Sequence, residues 1–247
     1  MRHKRSRGAV LLQQVAILIA ICFAKTLTAS AQSSPSGGTT QLGQTALSDQ
    51  LDESKDPRPL SLLAPLKPQE LEAPYRPTTR REGLRWVITS TIGLPHRAGG
   101  ILVSAFGTAL DRPKEYGPRW GGFADRYGMR MACSATGNAM EASASRILRE
   151  DPRYFRVPDR PLEARAGNVV RLTFTARGDD GSFGPAYARY IATFGNNFLS
   201  NTWRVHGEAN AQHALLRTAG DFAGRMAANA WEEFWPDVKK RLFHKRN

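Results

Sequence analysis

Residues Trp120 to Arg149 read WGGFADRYGMRMACSATGNAMEASASRILR, and the fold turns on how this stretch is understood. Gly121, Gly128, Ala135 and Ala142 recur every seven residues, with Ala124, Met131, Asn138 and Ser145 offset from them by three. At helical periodicity the two sets form one seam almost without bulk, leaving Asp125, Arg126, Arg130 and Glu141 elsewhere on the helix. A seam this smooth lets a neighbouring backbone come close, so the stretch predicts the central helix of a tightly packed bundle. Working outward from it, the expected class is all-α, a compact bundle of five or six helices.

On the N-terminal side, Thr79-Arg80-Arg81-Glu82 fits a capping box and predicts a helix to about Ile92, closed by Gly93 and Pro95. A second apolar segment, Ala98 to Leu110, ends at Asp111-Arg112-Pro113. Trp86 to Leu110 could also be read as a membrane hairpin, although each arm is short for a span and the mean hydropathy is -0.43.

On the C-terminal side, Asp151-Pro152 ends the central helix, because proline disfavours helical geometry in the residue before it. The loop Asp151 to Arg156 should fasten itself to the body through its two aromatics and its arginines. Val169 to Thr175 is balanced between helix and strand, and Gly178-Asp179-Asp180-Gly181 is a turn. Gly184-Pro185 opens a further helix whose bulky face, Phe183, Tyr187, Ile191, Phe194 and Phe198, is expected to fill the central seam. Asn196, Asn197 and Asn201 on that helix should satisfy backbone groups or one another. His206, Ala209, His213, Leu216, Gly220, Ala223, Ala227, Ala230 and Phe234 then alternate in steps of three and four, a second close-packing helix that stops or kinks at Trp235-Pro236.

The two ends carry different chemistry. Arg2, Lys4, Arg5 and Arg7 precede an apolar run, Ala9 to Ala24, and Ala29-Ser30-Ala31 supplies a cleavage site, so residues 1–31 read as a secretory signal peptide. Residues 32–78 are rich in Ser, Gly and Pro without any period and read as a disordered linker. The domain is expected over 79–247. Removal of the signal leaves Cys133 as the single cysteine, so no intrachain disulfide can form and stability must come from packing.

From Thr79 on, 26 basic residues face 16 acidic ones, and nearly all the cations are arginine. Export leaves lipid headgroups, envelope polysaccharide or acidic proteins as anionic partners in place of nucleic acid; a solvated arginine-rich surface is the plain alternative. Lys239, Lys240, Arg241, Lys245 and Arg246 form a basic tail suited to an anionic surface.

Catalytic signals are weak. His206 and His213 are two turns apart and cannot converge on one ion, so no metal site and no cofactor are expected. His213, with Glu208 or Asp221 in support, is the best available general base for a hydrolase acting on envelope lipid or glycan. No G-x-S-x-G, H-E-x-x-H or cysteine pair is present, and Arg177-Gly178-Asp179 is explained by its turn.

Three blocks remain: Trp120-Gly121-Gly122-Phe123-Ala124-Asp125-Arg126-Tyr127-Gly128, Asp151-Pro152-Arg153-Tyr154-Phe155-Arg156 and Glu233-Phe234-Trp235-Pro236-Asp237. In this order they resemble a family of uncharacterised exported proteins of Gram-negative soil bacteria that carry G-x-x-x-R-Y-G, D-P-R-Y-F-R and E-F-W-P-D. The resemblance spans Thr79 to Phe243 and implies export and a mostly helical body; it brings no activity with it. Around Leu172 to Asp179 the sequence departs from that family. The expected function is a non-enzymatic envelope module, structural or interacting through cationic faces, with a hydrolase or an integral membrane bundle as alternatives.

Overall fold

The computed structural model describes residues 69–243. The expected signal peptide, most of the linker, and Lys245 and Arg246 lie outside the described residues.

Chain order begins with a short strand β1 (Gln69–Glu70), followed by α1 (Arg80–Ile92) and α2 (Leu94–Ala109). The capping box forms: the Glu82 amide donates to the Thr79 hydroxyl, and the Thr79 amide donates to the Glu82 carboxylate. Gly93 separates the two helices and Pro95 lies in the first turn of α2, where its missing N–H costs nothing. α3 (Trp120–Leu148) is the long central helix, 29 residues. It ends with Arg149 in the left-handed conformation, φ 56°, which satisfies the last carbonyls before Pro152.

Next come β2 (Glu150–Asp151), β3 (Phe155–Arg156), α4 (Leu162–Phe174), β4 (Thr175–Gly178), β5 (Phe183–Pro185), α5 (Tyr187–Leu199) and α6 (Ala211–Phe243). Helix makes up 72% of the described residues, so the all-α class holds. Small sheets stitch the loops: β1 pairs parallel with β3, and β2, β4 and β5 form an antiparallel set around the turn at Gly178 to Gly181.

The first two helices run antiparallel along α3: Asn138 donates to the Thr91 hydroxyl, and Arg126, earlier in α3, reaches Thr108 at the end of α2. α5 also lies antiparallel on α3, with Arg189 against Glu141 and Asn196 donating to the Cys133 carbonyl. α6 closes over α4, where Asn229 donates to the Thr173 hydroxyl. A compact apolar cluster of Tyr154, Phe155, Val169 and Leu172 sits beside α4, with Phe183, Met226, Ala230 and Phe234 packed around it.

Five expectations need correction. The seam of Gly121, Gly128, Ala135 and Ala142 is not the packing face: Gly121 is exposed, Ala135 and Ala142 are half-buried, and a Cβ at Gly121 or Gly128 would meet nothing within 4 Å. The face that packs carries Gly122, Cys133, Gly137, Glu141 and Ser145, and Gly137 lies two and a half turns from Gly128, on the opposite side of the helix. At Gly137 a Cβ would stand 3.0 Å from the Asn196 amide, so the close approach is real but lies in another register.

The bulky stripe of α5 likewise points the other way. Tyr187, Ile191, Phe194 and Phe198 are exposed, while Ala188, Ala192 and Asn196 are buried. On α6, Gly220, Ala223 and Ala227 are exposed and Ala214, Thr218, Asn229 and Glu233 face inward. His206 belongs to a separate 3-10 turn, and α6 begins at Ala211 and continues through Pro236 to Phe243 without stopping. Finally, residues 69–78, expected in the linker, run over the body: Leu71 and Tyr75 pack on the apolar cluster.

Candidate functional site

The interior is built on charge. Glu141 lies 4% exposed in α3 and receives Arg189 of α5, 3.0 Å away, together with Arg225 of α6, whose guanidinium also lies over the Trp86 ring. Arg189 donates further to the Leu172 and Thr173 carbonyls at the end of α4. One carboxylate therefore joins four helices. An ion cluster removed from water is worth keeping only when its remaining hydrogen bonds are filled, and here the backbone carbonyls fill them.

A second carboxylate performs the same task lower in the molecule. Glu233 is fully buried and accepts from the Tyr154 hydroxyl at 2.9 Å and from Arg165 at 2.8 Å; Arg165 also reaches Asp237, and Arg156 donates to the Glu233 carbonyl. Asn168 donates to the Tyr154 oxygen and the Phe155 carbonyl. Burial, reinforced by the Glu233 charge, drives the Tyr154 hydroxyl well above its ordinary range, which holds it as a donor. The Asp151–Arg156 and Glu233–Asp237 blocks, 77 positions apart at Arg156 and Glu233, thus close on each other. The remaining block does so locally: Arg126 donates to the carbonyls of Arg112, Pro113 and Gly117 and ties the loop after α2 to α3. All three are fastenings, made through Arg126, Arg153, Tyr154, Arg156, Glu233 and Asp237.

The residues expected as a catalytic set are not brought together. His213 stands in the first turn of α6, where its amide and ring both meet the Asn210 side chain, an N-cap arrangement. Glu208 pairs with Arg204 at 3.1 Å. Asp221 accepts from Asn197 at 2.7 Å and, eight residues beyond His213 on one helix, is about 12 Å away along the axis. Each is held by a separate structural partner. Asn196 and Asn197 on α5 donate to the Cys133 carbonyl and the Asp221 carboxylate, and Asn201, in the 3-10 turn after α5, accepts from Arg217. Cys133 is buried against the Arg204 guanidinium.

The surface carries the opposite chemistry. On α2, Gly100 and Ser104 turn inward, while Leu94, Ile101, Leu102, Val103, Phe106 and Leu110 are exposed. At the start of the neighbouring α3, Trp120 is 84% exposed and begins an aromatic ladder with Phe123 and Tyr127; the Tyr127 ring abuts Gly100. Exposed Arg97, Arg112 and Arg119 border these apolar groups. On another side, Phe174, Phe222, Tyr190 and Tyr187 form a chain of ring contacts that continues into the exposed stripe of α5. Lys239, Lys240 and Arg241 are exposed at the end of α6, beside exposed Val238 and Leu242.

Single exposed apolar residues are ordinary on soluble proteins, but contiguous bulky ones mark a surface that meets something. Of these bulky residues the sequence placed only the α5 stripe inside; the missed signal was the set of polar side chains on its other face, Arg189, Asn196 and Asn197, which are buried instead. Among the described residues, no helix is long and apolar enough to cross a membrane, and no group of three or more His, Cys, Asp or Glu could hold a metal ion. No protein-family model, curated protein or solved structure matches the chain.

Proposed function

We propose that this is an exported cell-envelope protein, a non-enzymatic structural or interaction module that lies on an anionic membrane surface. The observation that carries the reading is the bordering of exposed apolar side chains by exposed arginines on α2 and the start of α3. A helix with Leu, Ile and Phe outward, a tryptophan at its flank and cations at its margin suits shallow burial at the headgroup boundary. The apolar groups leave water, and the guanidiniums find phosphates.

The expected export signal supplies the compartment in which such a surface would be met. Glu208, Asp221 and His213 are each engaged by Arg204, Asn197 and Asn210, which supports a module over the hydrolase alternative.

The test uses the chain from Gln32 and vesicle flotation at low and high salt. Binding to vesicles containing anionic lipid, with loss of roughly tenfold or more in affinity on raising salt, is the expected result. Leu102→Asp with Phe106→Asp should weaken it without loss of helicity, because both side chains stand in the open. Equal binding to neutral and anionic vesicles, or none to either, would remove the membrane from the proposal. The small-and-polar interior with bulky apolar exterior also suits an integral bundle; resistance to carbonate extraction would favour that reading.

A further inference from the structure

The outward face of α5 is aromatic and carries no charge. Between Tyr187 and Leu199 the helix holds one charged residue, Arg189, and that side chain is buried against Glu141. Tyr187, Ile191, Phe194 and Phe198 follow in steps of four, three and four, the spacing at which one helix presents knobs to another. Val170 and Phe174, one turn apart on α4, extend the patch, because Phe174 stacks on Phe222 and Phe222 meets Tyr190 of α5. Arg171 between them is turned onto the Phe183 ring, and the Tyr190 hydroxyl donates to the Phe174 carbonyl.

The size and chemistry of the patch indicate what covers it. These six bulky side chains of α4 and α5 are between 40% and 57% exposed. At roughly 200 Å² for an open side chain of this bulk, they offer on the order of 600 Å² per copy, and a stable interface buries about 600–1,000 Å² on each partner. An anionic bilayer is a poor match, since the arginines that border α2 have no counterpart on the outward face of α5. A second copy is a good one. From Thr79 on, 26 basic residues face 16 acidic ones, so two copies repel unless they meet where neither presents charge. Interface cores are poor in charged residues and rich in tyrosine and phenylalanine, which is the composition found on this face.

We propose that this protein forms a two-fold dimer through α5, the two helices antiparallel, with Ile191 against the partner's Phe194 and Tyr187 against the partner's Phe198. The symmetry lets one patch serve both sides, so every contact forms twice. A polar or bulkier replacement at Ile191 opens the pair, and that position then stands free in the monomer. This interface is separate from the lipid-facing surface.

Sedimentation equilibrium on the chain from Gln32, over about 1 to 100 µM, tests it. The expected species is a dimer with a dissociation constant of about 10 µM or tighter, the weak end for an interface of this size. Ile191→Asp with Phe194→Asp should give a monomer of unchanged helicity, because both side chains stand open in a single copy. Phe198→Asp, at the edge of the stripe, should weaken pairing about tenfold and decides alone if the double variant loses helicity. Leu102→Asp with Phe106→Asp should leave the dimer intact. A wild-type chain that is monomeric throughout this range overturns the proposal, as does a dimer that survives the α5 variants. So does a chain whose flotation with vesicles falls on Ile191→Asp with Phe194→Asp while its mass stays that of a monomer, a result that gives the patch to lipid.

Discussion

Glu141 shows how one residue can organise several helices. It is the meeting point of α3, α5 and α6, and Arg189 extends the connection to the end of α4. Replacing it by alanine leaves two guanidiniums inside with no counter-charge, a class of change that costs about 3–5 kcal/mol. Glu72→Ala, removing one member of the exposed pair with Arg160, should cost under about 1 kcal/mol. Urea unfolding followed by circular dichroism compares them; equal midpoints for the two variants would show that Glu141 is not the fastening described. At this scale the sequence misled for a physical reason. Arg126 and Glu141 were placed only off the small-residue seam, and neither Arg189 nor the loop carbonyls that pair with them can be identified from spacing along one helix.

At the scale of the element, helix positions and their punctuation were legible. The Thr79 capping box, the break at Gly93, the end of α3 before Pro152 and the turn at Gly178 all form where local chemistry requires. Which side of each helix faces inward was not legible. α3 carries glycines and alanines around most of its circumference, so small size alone selects no register; the choice falls to the polar groups that must be paired. Two neighbouring glycines report the register directly. A Cβ at Gly122 would run into the Gly117 and Tyr116 carbonyl oxygens, so Gly122→Ala should displace the Arg112–Gly117 loop and lower stability by about 2 kcal/mol or more. At Gly128 a Cβ meets nothing within 4 Å, and Gly128→Ala should stabilise by about 0.5–1 kcal/mol through helix propensity. Thermal unfolding gives the signs, and the originally expected seam predicts a penalty at Gly128.

Across the whole molecule, the distribution of chemistry is inverted at several helices: small and polar residues make the close contacts, while bulky apolar ones stand outside. The aromatic stripe of α5 was seen in the sequence, and only its direction was wrong. A general preference for bulk inside cannot be overruled from sequence until the arginine–carboxylate pairs are known to claim the interior. Once they do, the apolar groups remain at the surface, and the proposed lipid-facing function rests on that arrangement. The most direct measurement is spin-label accessibility at single cysteines placed at Phe106, Ile191 and Ala192 in a Cys133→Ala background. The account predicts mobile, collision-accessible labels at Phe106 and Ile191 and an immobilised label at Ala192, with Phe106 passing from water-soluble to lipid-soluble relaxers when anionic vesicles are added. Immobile labels at Phe106 and Ile191 beside a mobile one at Ala192 would contradict it.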